Sequence, residues 1–166
     1  MALRRIDPNA PASAPLRAWQ SLLRTPVMRQ FAMRVASRVD PLLLKGTGGQ
    51  VSMGGPLPSA LLTTKGAKSG ASREAAVLYF HDGDDVILVA SNFGRDHHPA
   101  WYHNLVAHPE AAQVNGEPYA ATEVTGDEHE RLFALMTQVY PGYLDYRRRA
   151  EAIGRRVPVL RLTPLR

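Results

Sequence analysis

Cysteine is absent from this chain, which excludes a disulfide framework, a thiol nucleophile and a thiolate metal site. No apolar run approaches the roughly 18 residues that a membrane-spanning helix needs. The opening MALRRIDPNAPASAPL carries Arg4 and Arg5 but no apolar stretch behind them. A secretion signal is therefore not expected, and a reducing cytoplasm is the expected location. Basic character is missing where a nucleic-acid module would need it. The net charge of +5 comes from residues 1–45, where eight basic side chains face two acidic ones, a balance of +6. Residues 46–166 hold twelve basic against thirteen acidic groups, a balance of −1. That body carries no recognisable binding motif, so nucleic acid is not an expected partner.

Nucleotide and metal signatures are missing too. KGTGGQVSMGGPLPS is rich in glycine but lacks the Gly-Lys-Ser/Thr ending of a Walker loop, and GAKSG has the wrong spacing. His98, His103 and His108 recur every fifth residue, which sets neighbours about 140° apart around a helix. Zinc pairs on a helix stand three or four apart, so no metal is expected. Ser91 with His97 or His98 lacks a nucleophile-elbow setting, and a hydrolase pair is not expected either.

What is present organises around Leu61–Asn104. The length, 166 residues, suits a single folded core. Residues 1–14 are rich in Ala, Pro and Ser and read as flexible. Leu16, Trp19 and Leu23 then follow helical spacing, and Thr25-Pro26 reads as an N-cap followed by proline at the first helical position. The helix so begun carries Met28, Phe31, Ala32, Val35 and Val39 on one stripe, flanked by Arg29, Arg34 and Arg38. Such a helix can pack on its own domain or lie on an anionic membrane with its arginines snorkelling. Strands are expected at Ala60–Thr64, Glu74–His81 and Val86–Ser91, the last two joined by the His81-Asp82-Gly83-Asp84 turn. A helix should run from Pro99 to about Ala107. Ala111–Asn115 and Tyr119–Val124 should form a hairpin around Gly116. Thr125 and Glu128 have capping-box spacing for a helix to about Tyr140, and Val157–Leu162 is a final strand. Six short strands, two inserted helices and a helical N-terminal arm predict a mixed α+β fold, a small six-stranded β-barrel without regular βαβ alternation.

Two clusters carry chemistry. Lys65, Lys68, Ser69, Gly70 and Arg73 place cations, a hydroxyl and accessible backbone in one loop, which suits phosphate or carboxylate oxygens. The same residues could be an ordinary basic hairpin edge, because lysine commonly blunts edges. Tyr140, Tyr143 and Tyr146 recur every third residue in VYPGYLDYRRR. Phenols offer flat apolar faces with a polar tip, useful against a ring-shaped substrate and equally useful in packing. Pro141-Gly142 breaks the helix there, so the three need not share a face.

LLTTKGAKSGASRE, VASNFGRDHHPAWYHNLVAHPE, VYPGYLDYRRR and the ending VPVLRLTP, taken together and in this order, resemble the deazaflavin-dependent nitroreductase family, whose members use coenzyme F420 on a split β-barrel. The combination of GxKSGxxR, HPAWYHNL and YPGYxxY is specific, and it covers about residues 60–164. The resemblance implies a six-stranded split β-barrel of the FMN-binding-like kind over residues 46–166, preceded by the basic arm of residues 1–45. It implies that Lys68, Ser69, Gly70 and Arg73, with Lys65 beside them, hold the phosphate and oligoglutamate tail of F420. Ser91, Asn92, Phe93 and Gly94 would border the deazaflavin, and Trp101 and Asn104 would help form its groove. Ser91, Tyr140, Tyr143 and Tyr146 match positions on the substrate side. Ala67 and Asn92 stand where the family often has basic residues, and Phe93 where glycine is common.

The implied activity is an F420H2-dependent reductase, acting on an electron-poor small-molecule acceptor such as an enone, quinone or nitroaromatic. Two alternatives stay open: an F420 carrier without turnover, and an FMN-dependent oxidoreductase on a similar barrel. Membrane contact through residues 16–45, at the inner face of the cell membrane, and a monomeric or homodimeric state also stay open.

Overall fold

A computed structural model describes residues 3–165. Among these residues seven strands form one antiparallel sheet: β1 (Ser59–Lys65), β2 (Ser72–Leu78), β3 (Phe80–Asp82), β4 (Asp85–Val89), β5 (Ala112–Val114), β6 (Glu117–Val124) and β7 (Val159–Pro164). Their order is β2-β1-β5-β6-β7-β4-β3. Only Tyr79 separates β2 from β3, yet the two lie at opposite ends of that order. The sheet therefore curls until its ends approach, giving a half-barrel in a mixed α+β fold. The expected single strand over Glu74–His81 is cut at this point, and the count is seven rather than six. Tyr79 leaves the ladder because its N–H donates to the Pro58 carbonyl at 3.2 Å and its hydroxyl to the Arg4 carbonyl at 2.8 Å.

The core lies on both faces of the curl. Val86 and Leu88 of β4 point into the barrel beside Leu62, Val114 and Leu162. Ile87 and Val89 point outward against α5 (Gly126–Val139), through Leu132, Phe133 and Met136. This two-sided burial explains why β4 reads as an unbroken apolar run rather than an alternation. α4 (Ala100–Ala107) fills the connection from β4 to β5, and α6 (Gly142–Ala152) follows α5 before the chain returns to β7. The expected capping box at the start of α5 does not form, since the Thr125 side chain makes no capping bond. Glu128 instead accepts from Arg131 at 2.8 Å and from Arg161. Two guanidiniums are stronger partners for a carboxylate than one backbone N–H.

The arm forms α1 (Ala14–Leu23), α2 (Pro26–Phe31), a π-helical turn at Ala32–Ala36 and α3 (Ser37–Gly46). Ser13 and Thr25 cap α1 and α2 with their side chains. The Trp19 indole donates to the Gly54 carbonyl at 2.9 Å and the buried Gln20 amide to the Val139 carbonyl at 2.8 Å. Arg24 pairs with Asp145, and Lys45 with Glu74, each at 2.8 Å. Ahead of α1, Ile6 and His81 exchange two hydrogen bonds.

Candidate active site

Between the arm and the sheet lies a cavity of about 370 Å³, within the range of small-molecule sites. Trp19, Leu23, Met28 and Phe31 of the arm form one wall, and Ala75–Leu78 of β2 another. The segment after β4 contributes Ser91, Asn92 and Phe93, α4 contributes Trp101, and the far end is closed by Tyr140, Tyr143 and Tyr146.

The tyrosines come together because the chain turns a corner at Pro141-Gly142. α5 ends at Val139, Tyr140 is extended, and α6 restarts at Gly142. The Tyr140 ring lies directly on Gly142, where an added Cβ would stand 2.3 Å from a ring carbon. Tyr143 and Tyr146 then follow on one face of α6. The three ring centroids stand 5.7–6.2 Å apart, edge-on or tilted, which is the favoured geometry for aromatic packing. Burial pushes all three phenols above the ordinary tyrosine range, most strongly Tyr143 and Tyr146. At neutral pH they hold their protons and can only donate them.

Ser91 is 7% exposed and faces the cavity. Its hydroxyl has no hydrogen-bond partner among the described residues. The next three residues all take left-handed backbone, with φ of 45° at Asn92, 58° at Phe93 and 76° at Gly94. Asparagine accepts such angles and glycine is suited to them, whereas phenylalanine pays about 1–2 kcal/mol. Gly94 is needed for space as well, since a Cβ there would sit 2.6 Å from the Tyr146 carbonyl oxygen. The turn presents Phe93 edge-on to Tyr146, with centroids 5.6 Å apart.

The basic loop forms the exposed turn between β1 and β2, with Gly70 left-handed at φ 67°. Lys65, Lys68 and Arg73 are exposed, and none pairs with a carboxylate among the described residues. The Ser69 hydroxyl accepts from the Ala71 N–H at 3.3 Å, closing the turn on itself. Asn104, expected to line the groove, is buried beneath the turn instead. It accepts from the Ala67 N–H at 2.9 Å and donates to the Thr64 hydroxyl at 3.0 Å. Trp101 and Asn104 lie one turn apart on α4, about 4.5 Å along the axis. The same helix thus touches the cavity and anchors the basic turn.

Among the predicted residues, Ser91, Asn92, Phe93, Trp101 and the three tyrosines meet at the cavity. Lys65, Lys68, Ser69, Gly70 and Arg73 gather in the turn beside it, Gly94 packs on α6, and Asn104 sits behind the turn. Sequence reasoning missed two contributors. One is the arm wall, foreshadowed by the Leu16-Trp19-Leu23 and Met28-Phe31-Ala32 spacings. The other is Arg155, a buried guanidinium beneath the Ser91 loop. His98 accepts from Arg155 at 2.9 Å. No cluster of three His, Cys, Asp or Glu side chains among the described residues could hold a metal.

A family model described as F420H2-dependent quinone reductase matches residues 35–164. The chain belongs to this family. It is an F420-dependent oxidoreductase, with reduced F420 as cofactor and quinone-like compounds as substrates. Among curated relatives, an F420H2-dependent quinone reductase of Mycobacterium tuberculosis is 33% identical over 135 residues, spanning 76% of this chain and 88% of that one. A second, putative F420H2-dependent quinone reductase of the same organism is 33% identical over 112 residues, 66% of this chain and 92% of the relative. A solved F420-H2 dependent reductase, FDR-A, superposes with a TM-score of 0.53 at 30% identity, covering 63% of this chain and 93% of that one. A solved domain-swapped dimer gives 0.56 at 30% identity, covering 75% and 93%. The carrier and FMN readings give way to this membership. The residues present fit such a cofactor: the turn carries cations with no acidic partners among the described residues, which would suit an anionic group, and the adjoining aromatic cavity would suit a ring.

Proposed function

We propose that the chain reduces quinones in the cavity between Ser91 and the three tyrosines, with enones and nitroaromatics as further electron-poor acceptors. Lys68 and Arg73, assisted by Lys65 and the Ser69-Gly70 backbone, bind the phosphate and oligoglutamate tail of F420. Asn104 serves them indirectly by fixing the turn. Trp101, Asn92, Phe93 and Gly94 shape the edge against which the ring lies. Reduced F420, when bound, supplies the hydride. Ser91 donates a hydrogen bond to the acceptor oxygen and so stabilises the negative charge that develops there. Tyr143, Tyr146 or water delivers the proton. The observation that carries this reading is the juxtaposition of a Ser91 hydroxyl with no partner among the described residues, an aromatic cavity, and a basic turn with no carboxylate partner among those residues, the cavity and the turn being linked by Trp101 and Asn104 of α4.

The test is oxidation of F420H2 with menadione, with a cyclic enone and with a nitroaromatic. Ser91→Ala should lower kcat by about 100-fold while F420 affinity stays within about threefold. Full activity in Ser91→Ala would remove Ser91 from the catalytic role.

A second reading concerns where the acceptor is met. Along the arm, Val27 is 72% and Leu42 67% exposed, with Phe31, Val35 and Val39 exposed beside them. Arg34 and Arg38 are exposed on the same stretch, with Arg29 half-buried, and none of them pairs with a carboxylate among the described residues. No helix among the described residues is long and apolar enough to cross a membrane. An apolar stripe edged by arginines suits the surface of an anionic bilayer, where apolar quinones reside. Co-sedimentation with anionic liposomes should fall on Val27→Asp/Leu42→Asp substitution, and unchanged co-sedimentation would count against the contact.

A further inference from the structure

Arg155 is buried and makes no salt bridge to a carboxylate among the described residues, although Asp96 lies near enough to act on it through space. The end of α6 explains how it arrives there. The Arg155 N–H donates to the Ala150 carbonyl at 2.9 Å and the Gly154 N–H to the Glu151 carbonyl at 3.0 Å. Gly154 has φ of 73°. This is a Schellman ending, in which the left-handed glycine reverses the chain. The reversal sends the Arg155 side chain beneath the segment that follows β4.

There the guanidinium spans the base of the Ser91 loop. Nε donates to the Arg95 carbonyl at 2.7 Å, Nη2 to the Ser91 carbonyl, and Nη1 to the Ala90 carbonyl at 3.3 Å and to His98 Nδ1 at 2.9 Å. The loop thus has both ends pinned by one planar group, and a guanidinium's five donors in a fixed fork make that possible. Between the pinned ends lie the three left-handed residues Asn92, Phe93 and Gly94. A segment with that backbone relaxes unless its surroundings over-determine it.

We propose that Arg155 is the positioning residue of the reductase site: by tying Ala90, Ser91, Arg95 and His98 together, it fixes the Ser91 hydroxyl and the Phe93 ring at the cavity. Arg155 does not line the cavity and acts through the loop. The catalytic part of this inference rests on the reading that Ser91–Gly94 borders the cofactor. The tying of the loop does not.

Two readouts keep these apart. Hydrogen exchange of the full-length protein without cofactor should speed up over residues 90–98 in Arg155→Met, and remain unchanged in the β5–β6 hairpin. With F420H2 and menadione, the same variant should lose about 100-fold in kcat, the loss that displacement of a reacting group by about 1 Å produces, while F420 Kd stays within about threefold. Arg155→Lys keeps the charge but not the fork, and should recover part of the kcat and part of the exchange protection. If Arg155→Met does not accumulate as folded protein, Arg155→Lys carries both readouts. Wild-type exchange over residues 90–98 in Arg155→Lys and Arg155→Met, or wild-type kcat despite loosened exchange, would overturn the proposal. Failure of the wild type to bind F420 would instead overturn the cofactor reading, and the exchange comparison would still decide whether Arg155 holds the loop.

Discussion

At the scale of single residues, the site depends on places where no larger side chain fits. Gly142 is one, because the Tyr140 ring occupies the space a Cβ would need. Gly142→Ala should displace that ring, cost about 1–3 kcal/mol and raise KM for the quinone more than it weakens F420. Urea unfolding and steady-state kinetics on the same preparation check this, and an unchanged KM would show that Tyr140 does not shape the acceptor pocket. Protonation gives a second prediction. Burial lowers the pKa of His81, with Arg5 adding to the effect, and burial lowers that of His98, with Arg155 next. Both imidazoles accept a hydrogen bond at Nδ1 in the folded protein, from the Ile6 N–H and from Arg155 respectively. Because the folded pKa lies below the unfolded one, the unfolded chain takes up these protons first. The stability is therefore fully present above about pH 6.5 and is lost as pH falls toward the folded values. Denaturant midpoints at pH 7.5 and pH 5.5 should differ, and the difference should shrink in His81→Asn/His98→Asn. An equal drop in the double variant would place the acid sensitivity elsewhere.

At the scale of elements, α4 couples the basic turn to the cavity. Asn104 is the joint, with one bond to the turn and one to β1. Asn104→Leu leaves the Ala67 N–H and the Thr64 hydroxyl without their partner, at a cost of about 1–3 kcal/mol. The prediction is weaker F420 binding with an intact barrel, visible as a higher F420 Kd and faster exchange confined to residues 65–72. Unchanged Kd would detach the turn from cofactor binding. Elements of this kind differ in how well the sequence announces them. The β3–β4 hairpin was legible because Asp82-Gly83-Asp84 admits few backbones, and α2 because Thr25-Pro26 is a start signal. The break at Tyr79 was not legible, since it depends on Pro58 and Arg4, which are 21 and 75 positions away. α6 was hidden by the Pro141-Gly142 break before it, although Gly154 marks its end. The grouping of the candidate site was legible where local chemistry is unusual, as in the basic turn and the tyrosine repeat. It was not legible where a side chain acts at a distance: Asn104 reads the same whether it faces a ligand or a turn, and nothing near Arg155 in sequence reveals the loop it holds.

At the scale of the whole molecule, the arm and the half-barrel meet around the cavity, and the basic turn stands at its side. The central claim is that this turn holds the anionic tail of F420 while the cavity receives the quinone. Titration of F420 into wild type and Lys68→Ala, at low and at high salt, tests it most directly. Lys68 is exposed and has no carboxylate partner among the described residues, so its loss should weaken F420 by about fivefold at low salt, the range of an exposed charge-assisted contact. The gap should narrow at high salt as the interaction is screened. Binding to Lys68→Ala that matches the wild type at low salt, or no binding of F420 to either protein at micromolar concentrations, would contradict the account.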